Sequence, residues 1–163
     1  MILVADASAL IAIATCDSRF VFAAIFGNTL ASSAVDADAT AFDKPQSACP
    51  QSYLYGKVRA VDMQRFIDLN AFADAGETYA LRHYKEVAGE YLLMDDGCGR
   101  KVAKINYIRT AGSLGISLQA KYASLGPCVA SRIEPIANRP VFLSEVSVQI
   151  ALALGGETGN EVK

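Results

Sequence analysis

The sequence holds little histidine, no closely spaced cysteines and no large excess of either charge. Its one histidine is His83, and its four cysteines, Cys16, Cys49, Cys98 and Cys128, form no C-x-x-C pair. Structural zinc sites draw on thiolates and imidazoles at short spacing, so a zinc finger or ribbon is not expected. Isolated cysteines in a chain of 163 residues read as small core hydrophobes in a reducing compartment, not as a disulfide framework. Fifteen basic residues stand against seventeen acidic ones, a net charge of −2. That balance excludes a histone-like polycation, though not a local basic patch. No apolar run reaches the ~18 residues of a membrane span. The apolar start, MILVADASALIAIATC, lacks a basic leading segment and is interrupted by Asp6, so it does not read as a signal peptide. A cytoplasmic protein is expected. Gly97-Cys98-Gly99 opens a G-x-G-x-x-G pattern that fails at Val102, and no G-x-x-x-x-G-K-[ST] exists, which disfavours dinucleotide and NTP enzymes.

What remains is a globular composition, 52% hydrophobic and 20% charged, with length for one core. A single domain over residues 1–155 with a frayed tail over 156–163 is expected. Four short apolar runs fit buried parallel strands: Ile2 to Ala5, Thr29 to Ser32, Tyr91 to Met94, and Tyr107 to Thr110. Helical patterns lie between and after them, over 7–14, 18–26, a segment capped by Ser33, 76–87, 100–105, 113–124, 129–137 and 144–154. Ser144 is placed to cap the last. Residues 43–56, with Pro45, Pro50 and Gly56, read as a loop, and 57–74 show no clear boundaries. Strands alternating with helices give an α/β fold with a central parallel sheet.

Ligands of open parallel sheets sit beyond the carboxyl ends of the strands. Two of the runs end there in acids, Asp6 and the pair Asp95-Asp96. Glu77, at the start of its helix, and Asp38, after the second strand, can reach the same place. Grouped carboxylates raise one another's pKa, and a hard divalent cation, Mg²⁺ or Mn²⁺, removes that cost. One or two such ions activate water and stabilise in-line displacement at phosphorus. Against this stands the ordinary role of acids at helix N-termini, which applies to Glu77 and Asp38 more than to Asp6, an acid inside an apolar run. Arg100, Lys101 and Lys104 follow the acid pair and share part of one helix surface, a fit for RNA phosphate contacts or simply a solvated face. His83 has no neighbouring nucleophile and reads as structural.

These residues also carry a family pattern. Val4-Ala5-Asp6-Ala7-Ser8-Ala9-Leu10-Ile11 resembles the first strand of PIN-domain proteins, where an Asp is followed two residues later by Ser or Thr. Ser33-Ala34-Val35-Asp36-Ala37-Asp38 resembles their second acidic segment, with Asp38 standing where Glu is usual. Ala75-Gly76-Glu77-Thr78-Tyr79-Ala80-Leu81, Leu92-Leu93-Met94-Asp95-Asp96 with Arg100-Lys101-Val102-Ala103, Ala111-Gly112-Ser113-Leu114-Gly115 and Phe142-Leu143-Ser144 are similar to a subgroup related to VapC-type toxins. The resemblance implies a Rossmann-like three-layer α/β/α sandwich and a metal-dependent endoribonuclease, the toxin of a type II toxin–antitoxin pair. It also implies a homodimer neutralised by a small antitoxin. Carried over by position, the catalytic acids are Asp6, Asp38, Glu77 and Asp95 or Asp96. Of these, Asp6, Glu77 and Asp95 or Asp96 hold Mg²⁺ or Mn²⁺, and Ser8 hydrogen-bonds within the site. The alternatives are a weak or inactive PIN-like module that binds RNA or protein, and a structure-specific DNA nuclease.

Overall fold

The computed structural model describes residues 2–15, 19–39, 55–62, 75–126, 128–137 and 143–157. Five strands form one sheet: β1 (Ile2–Ala5), β2 (Asn28–Ser32), β3 (Val58–Arg59), β4 (Tyr91–Leu93) and β5 (Thr110–Ala111). Their order is β3-β2-β1-β4-β5, and every neighbouring pair is parallel. The described helices are α1 (Ala7–Thr15), α2 (Arg19–Phe26), α3 (Ser33–Ala39), α4 (Ala75–Glu86), α5 (Gly97–Ile105), α6 (Ser113–Tyr122), α7 (Ala130–Ala137) and α8 (Glu145–Leu154). The α/β class expected from the alternation is therefore the one observed. A sheet covered on both faces needs strands without polar alternation. Leu3, Val4 and Ala5 of β1 and Leu92 and Leu93 of β4 meet that need, each fully buried in the main core. A second cluster, Val129, Ile133, Ala151 and Leu152, packs α7 and α8 against Leu114 and Leu118 of α6.

The topology positions the site. From β1 the chain moves outward to β2 and β3, then crosses to β4 and β5 on the other side. The direction of winding reverses between β1 and β4, where the carboxyl ends of an open sheet leave a crevice. Residues Leu3, Val4 and Ala5 face Tyr91, Leu92 and Leu93 across this pair. The ladder runs one bond further, because Asp6 N–H donates to Leu93 C=O at 2.9 Å.

Several element ends differ from the sequence reading. Helix α3 is capped by Ser32, whose Oγ accepts the Val35 N–H at 3.2 Å, and not by Ser33. Helix α5 starts at Gly97, three residues earlier than expected, because Asp96 Oδ2 caps it by accepting the Gly99 N–H at 2.8 Å. The strand expected from Tyr107 shrinks to Thr110–Ala111, since Tyr107 and Ile108 serve to close α5. Their N–H groups donate to Lys104 C=O at 3.1 Å and Ala103 C=O at 2.9 Å, the crossed pair of bonds of a Schellman end. That ending requires a left-handed residue, and Tyr107 has φ +57°. Ala88 (φ 49°) and Ser124 (φ 57°) hold the same slot after α4 and α6. Strand β3 was not recognised in the sequence. Of the expected loop over 43–56, only Tyr55 and Gly56 lie within the described residues. Cys16 and Cys49 lie outside them, and Cys98 and Cys128 are free thiols. No helix among the described residues is long and apolar enough to cross a membrane.

Glu157, expected to lie in a frayed end, is fastened. Its Oε1 accepts the Val129 N–H and its Oε2 the Ala130 N–H, both at 2.8 Å, so it caps the start of α7 from outside the helix. Lys121 Nζ, in the last turn of α6, binds the same carboxylate and Gly155 C=O. Burial opposes the charge on Glu157, but the Lys121 ammonium and the two N–H groups outweigh it and hold the carboxyl below its ordinary value of 4.5. A carboxyl depressed on folding contributes stability that is complete above the unfolded pKa and lost as pH falls through the folded one. Glu157→Ala should cost about 1–2 kcal/mol at neutral pH. Thermal denaturation at falling pH should show the difference from wild type shrinking as the pH drops below 4.5 and through the folded value.

Candidate active site

Asp6 is the first residue beyond β1, with only 5% of its surface exposed. Its C=O accepts the Leu10 N–H at 3.0 Å, so it also begins α1. Ser8, in the first turn of that helix, turns back and donates its hydroxyl to Asp6 Oδ2 at 2.7 Å. A buried carboxylate needs such donors to remain charged. The Ser8 bond also fixes the rotamer of the acid at the mouth of the β1–β4 crevice.

Glu77 reaches the same end of the sheet from the first turn of α4 and is 7% exposed. Its carboxyl group meets that of Asp96 at Gly99, which lies close against Glu77 Cδ and donates its N–H to Asp96 Oδ2. Chiefly the Gly99 N–H holds Asp96 below the usual carboxylate range, opposed by desolvation and aided by Glu77 and the Cys98 and Gly97 N–H groups. The contact requires α5 to start close against α4, and Gly99 allows it. A Cβ at this position would stand 2.5 Å from Met94 Sδ and 3.0 Å from Glu77 Cδ. The two glycines that failed as a nucleotide loop thus belong to this first turn, and Gly99 serves close packing. A stretch of Asp-Asp-Gly-x-Gly after an apolar run was the available signal.

Asp95 points elsewhere. Its Oδ1 accepts the Ser113 N–H at 2.8 Å and so caps α6 from a different element. The approach needs Gly112, where a Cβ would stand 2.9 Å from that oxygen. Burial pushes the Asp95 carboxyl above its usual range, partly offset by the Ser113 N–H and hydroxyl and by the Arg100 charge. Ser113 Oγ and Asp95 Oδ2 are both buried without a hydrogen-bond partner. A cleft of about 390 Å³ opens on this side, lined among others by Tyr91, Asp95, Arg100, Gln119 and Ser144. The neighbouring acids Asp95 and Asp96 therefore serve two different helix starts.

Asp38 lies on α3, which follows β2 next to β1, and its side chain is outside the described residues. Arg100, Lys101 and Lys104 are exposed along α5. Val102 and Ala103 on its other face are buried. His83 is fully buried on α4 with neither ring nitrogen hydrogen-bonded, and burial lowers its pKa, in keeping with a structural, neutral imidazole.

Among the described residues no group of three or more His, Cys, Asp or Glu side chains is gathered as a metal site. The Glu77–Asp96 pair nonetheless fits a hard cation. Two acids brought together repel when both are ionised, and a divalent ion with oxygen preference offsets that cost. The donors on offer are all oxygens, which suits Mg²⁺ or Mn²⁺ over softer metals.

A family model for the PIN domain matches residues 2–157. No curated protein matches the chain. No solved structure matches it either.

Gly99→Ala should push the start of α5 away from Glu77 and Met94. Overpacking of this kind costs about 1–3 kcal/mol. Chemical denaturation measures that loss, and the variant should keep the full set of acids while losing the Glu77–Asp96 contact in a crystal structure.

Proposed function

The chain belongs to the PIN-domain family, and from that premise we propose that it is a Mg²⁺- or Mn²⁺-dependent endoribonuclease working at the carboxyl ends of β1 and β4. Family membership supports nuclease activity in general. The observation that carries the finer reading is the approach of the Glu77 and Asp96 carboxyl groups at Gly99, beside the β1–β4 switch point where Asp6 ends the neighbouring strand. In this reading Asp6, Glu77 and Asp96 hold the ion. When bound, the ion supplies an activated water and offsets charge on the phosphate. Ser8 orients Asp6. Asp38 is the fourth acid, and Asp95 organises the start of α6 instead of ligating metal. Arg100, Lys101 and Lys104 hold the phosphates of the strand being cut.

The same reading makes the protein the toxin of a cytoplasmic toxin–antitoxin pair, a homodimer neutralised by a small antitoxin. Supporting the homodimer is the outer face of α8. Val146, Ile150 and Leu154 recur every four residues and are 69%, 54% and 61% exposed, while Ala151 and Leu152 on the inner face are buried. An apolar stripe of this kind on a helix suits burial against a second copy. Ile150→Asp should shift the protein to monomer in sedimentation velocity without lowering its Tm by more than a few degrees.

Purified protein should cut single-stranded RNA with Mg²⁺ or Mn²⁺, and chelation by EDTA should stop it. Asp6→Asn and Glu77→Gln should each lower the rate on the order of 100-fold or more, as expected when a metal's charge is lost from the reacting phosphate. Asp95→Asn should retain most of the activity, since an amide oxygen can still accept the Ser113 N–H. RNA that is bound but never cut by wild type would mark the chain as a binding module instead, and preferential cleavage of DNA would mark a DNA nuclease.

A further inference from the structure

Tyr107 is 95% exposed and holds φ +57° in the slot where a Schellman end favours glycine. A left-handed backbone at a bulky residue costs on the order of 1 kcal/mol. A ring standing in solvent regains none of it by packing. Ala88 and Ser124 hold the equivalent slots after α4 and α6, but both are small. Tyr107 alone of the three combines the strained conformation with a large projecting ring. A local rule broken without a packing gain points to function.

The surroundings indicate what the ring meets. Lys101 and Lys104 are exposed along α5, on the approach from the Asp96 cap to this turn. Lys85 Nζ reaches across from α4 and donates to Asn106 C=O at 3.1 Å, bracing the turn with a further cation. Arg109 follows two residues later, its guanidinium 5.1 Å above the Tyr91 ring. Glu90, an acid at this end of the sheet, is directed to the Ile2 N–H through Oε1 at 3.2 Å. Helix α5 has nine residues, which gives an axial length of about 14 Å. One end therefore lies at the acids and the other at an exposed aromatic among lysines. Cations that follow a backbone and an aromatic face that accepts a base are the two parts of a single-strand binding surface.

We infer that Tyr107 is a positioning residue that stacks on a base of the RNA strand running from the acid site along α5. This rests on the ribonuclease reading above. The test compares wild type, Tyr107→Gly and Tyr107→Phe by fluorescence anisotropy with a short labelled single-stranded RNA in EDTA, and by cleavage kinetics with Mg²⁺. Tyr107→Gly should weaken RNA binding about 5- to 50-fold, the range for losing one stacked base, and raise KM with kcat little changed. It should also raise the Tm, because glycine relieves the left-handed backbone. Tyr107→Phe should bind as wild type does. An RNA with one abasic position at the stacked site should bind wild type and Tyr107→Gly equally. If wild type binds and cuts RNA and Tyr107→Gly binds within twofold of it, stacking is overturned while the ribonuclease reading stands. If wild type neither binds nor cuts RNA, the ribonuclease reading fails and stacking fails with it.

Discussion

The parallel pairing of β1 with β4 is the constraint on which the rest of the site depends. It joins two strands that are buried from Leu3 and from Leu92 onward, and it extends one bond beyond them through Asp6 N–H and Leu93 C=O. Side chains just past that bond cannot drift apart without breaking the centre of the sheet. Acids carried there must be tolerated close together, with Asp6 and Glu77 buried, which is costly for like charges. The molecule meets the cost with local donors: a hydroxyl for Asp6 and helix N–H groups for Asp96. A scaffold stable enough to hold such a site is a scaffold whose core does not rely on it. The main apolar cluster, with Leu3, Val4, Leu81, Leu92, Leu93 and Met94, lies beneath the acids.

Asp95 and Asp96 show how one peptide step can divide two helix starts between neighbouring acids. Beyond a strand end, successive side chains leave on opposite sides. Asp96 goes toward α4 and begins α5, and Asp95 goes toward β5 and begins α6. Each acid has a glycine that lets the neighbouring backbone approach, Gly99 for one and Gly112 for the other. Two helix starts and one strand end are thus locked together by four residues.

The strands bearing the acids were legible because a buried parallel strand is a bare apolar run, and an acid at its end stands out. Asp6 and the Asp95–Asp96 pair could be singled out on that ground, and Glu77 by its place at a helix start. Their division of labour could not, because it depends on which way each side chain leaves the strand. β3 escaped notice since two residues, Val58 and Arg59, carry no period. The end of α5 was mistaken for strand because Tyr107 and Ile108 have strand-like side chains, while the bonds that close the helix come from backbone alone. Ser32 was overlooked as a cap because it also completes β2, and a residue shared between two elements gives an ambiguous signal. The segments 40–54 and 63–74 lie outside the described residues.

Helix α6 is gripped at both ends by acids that belong to other parts of the chain. Asp95 takes the amide of Ser113 at its start, and Glu157 takes the ammonium of Lys121 in its last turn. Isolated helices lose their amide protection from the tips inward, since end groups lack partners. A helix clamped at each tip has no easy place to begin. Its amides then exchange with solvent only when a larger part of the structure opens. The wall behind Asp95 is accordingly expected to exchange slowly, although it borders an open cleft.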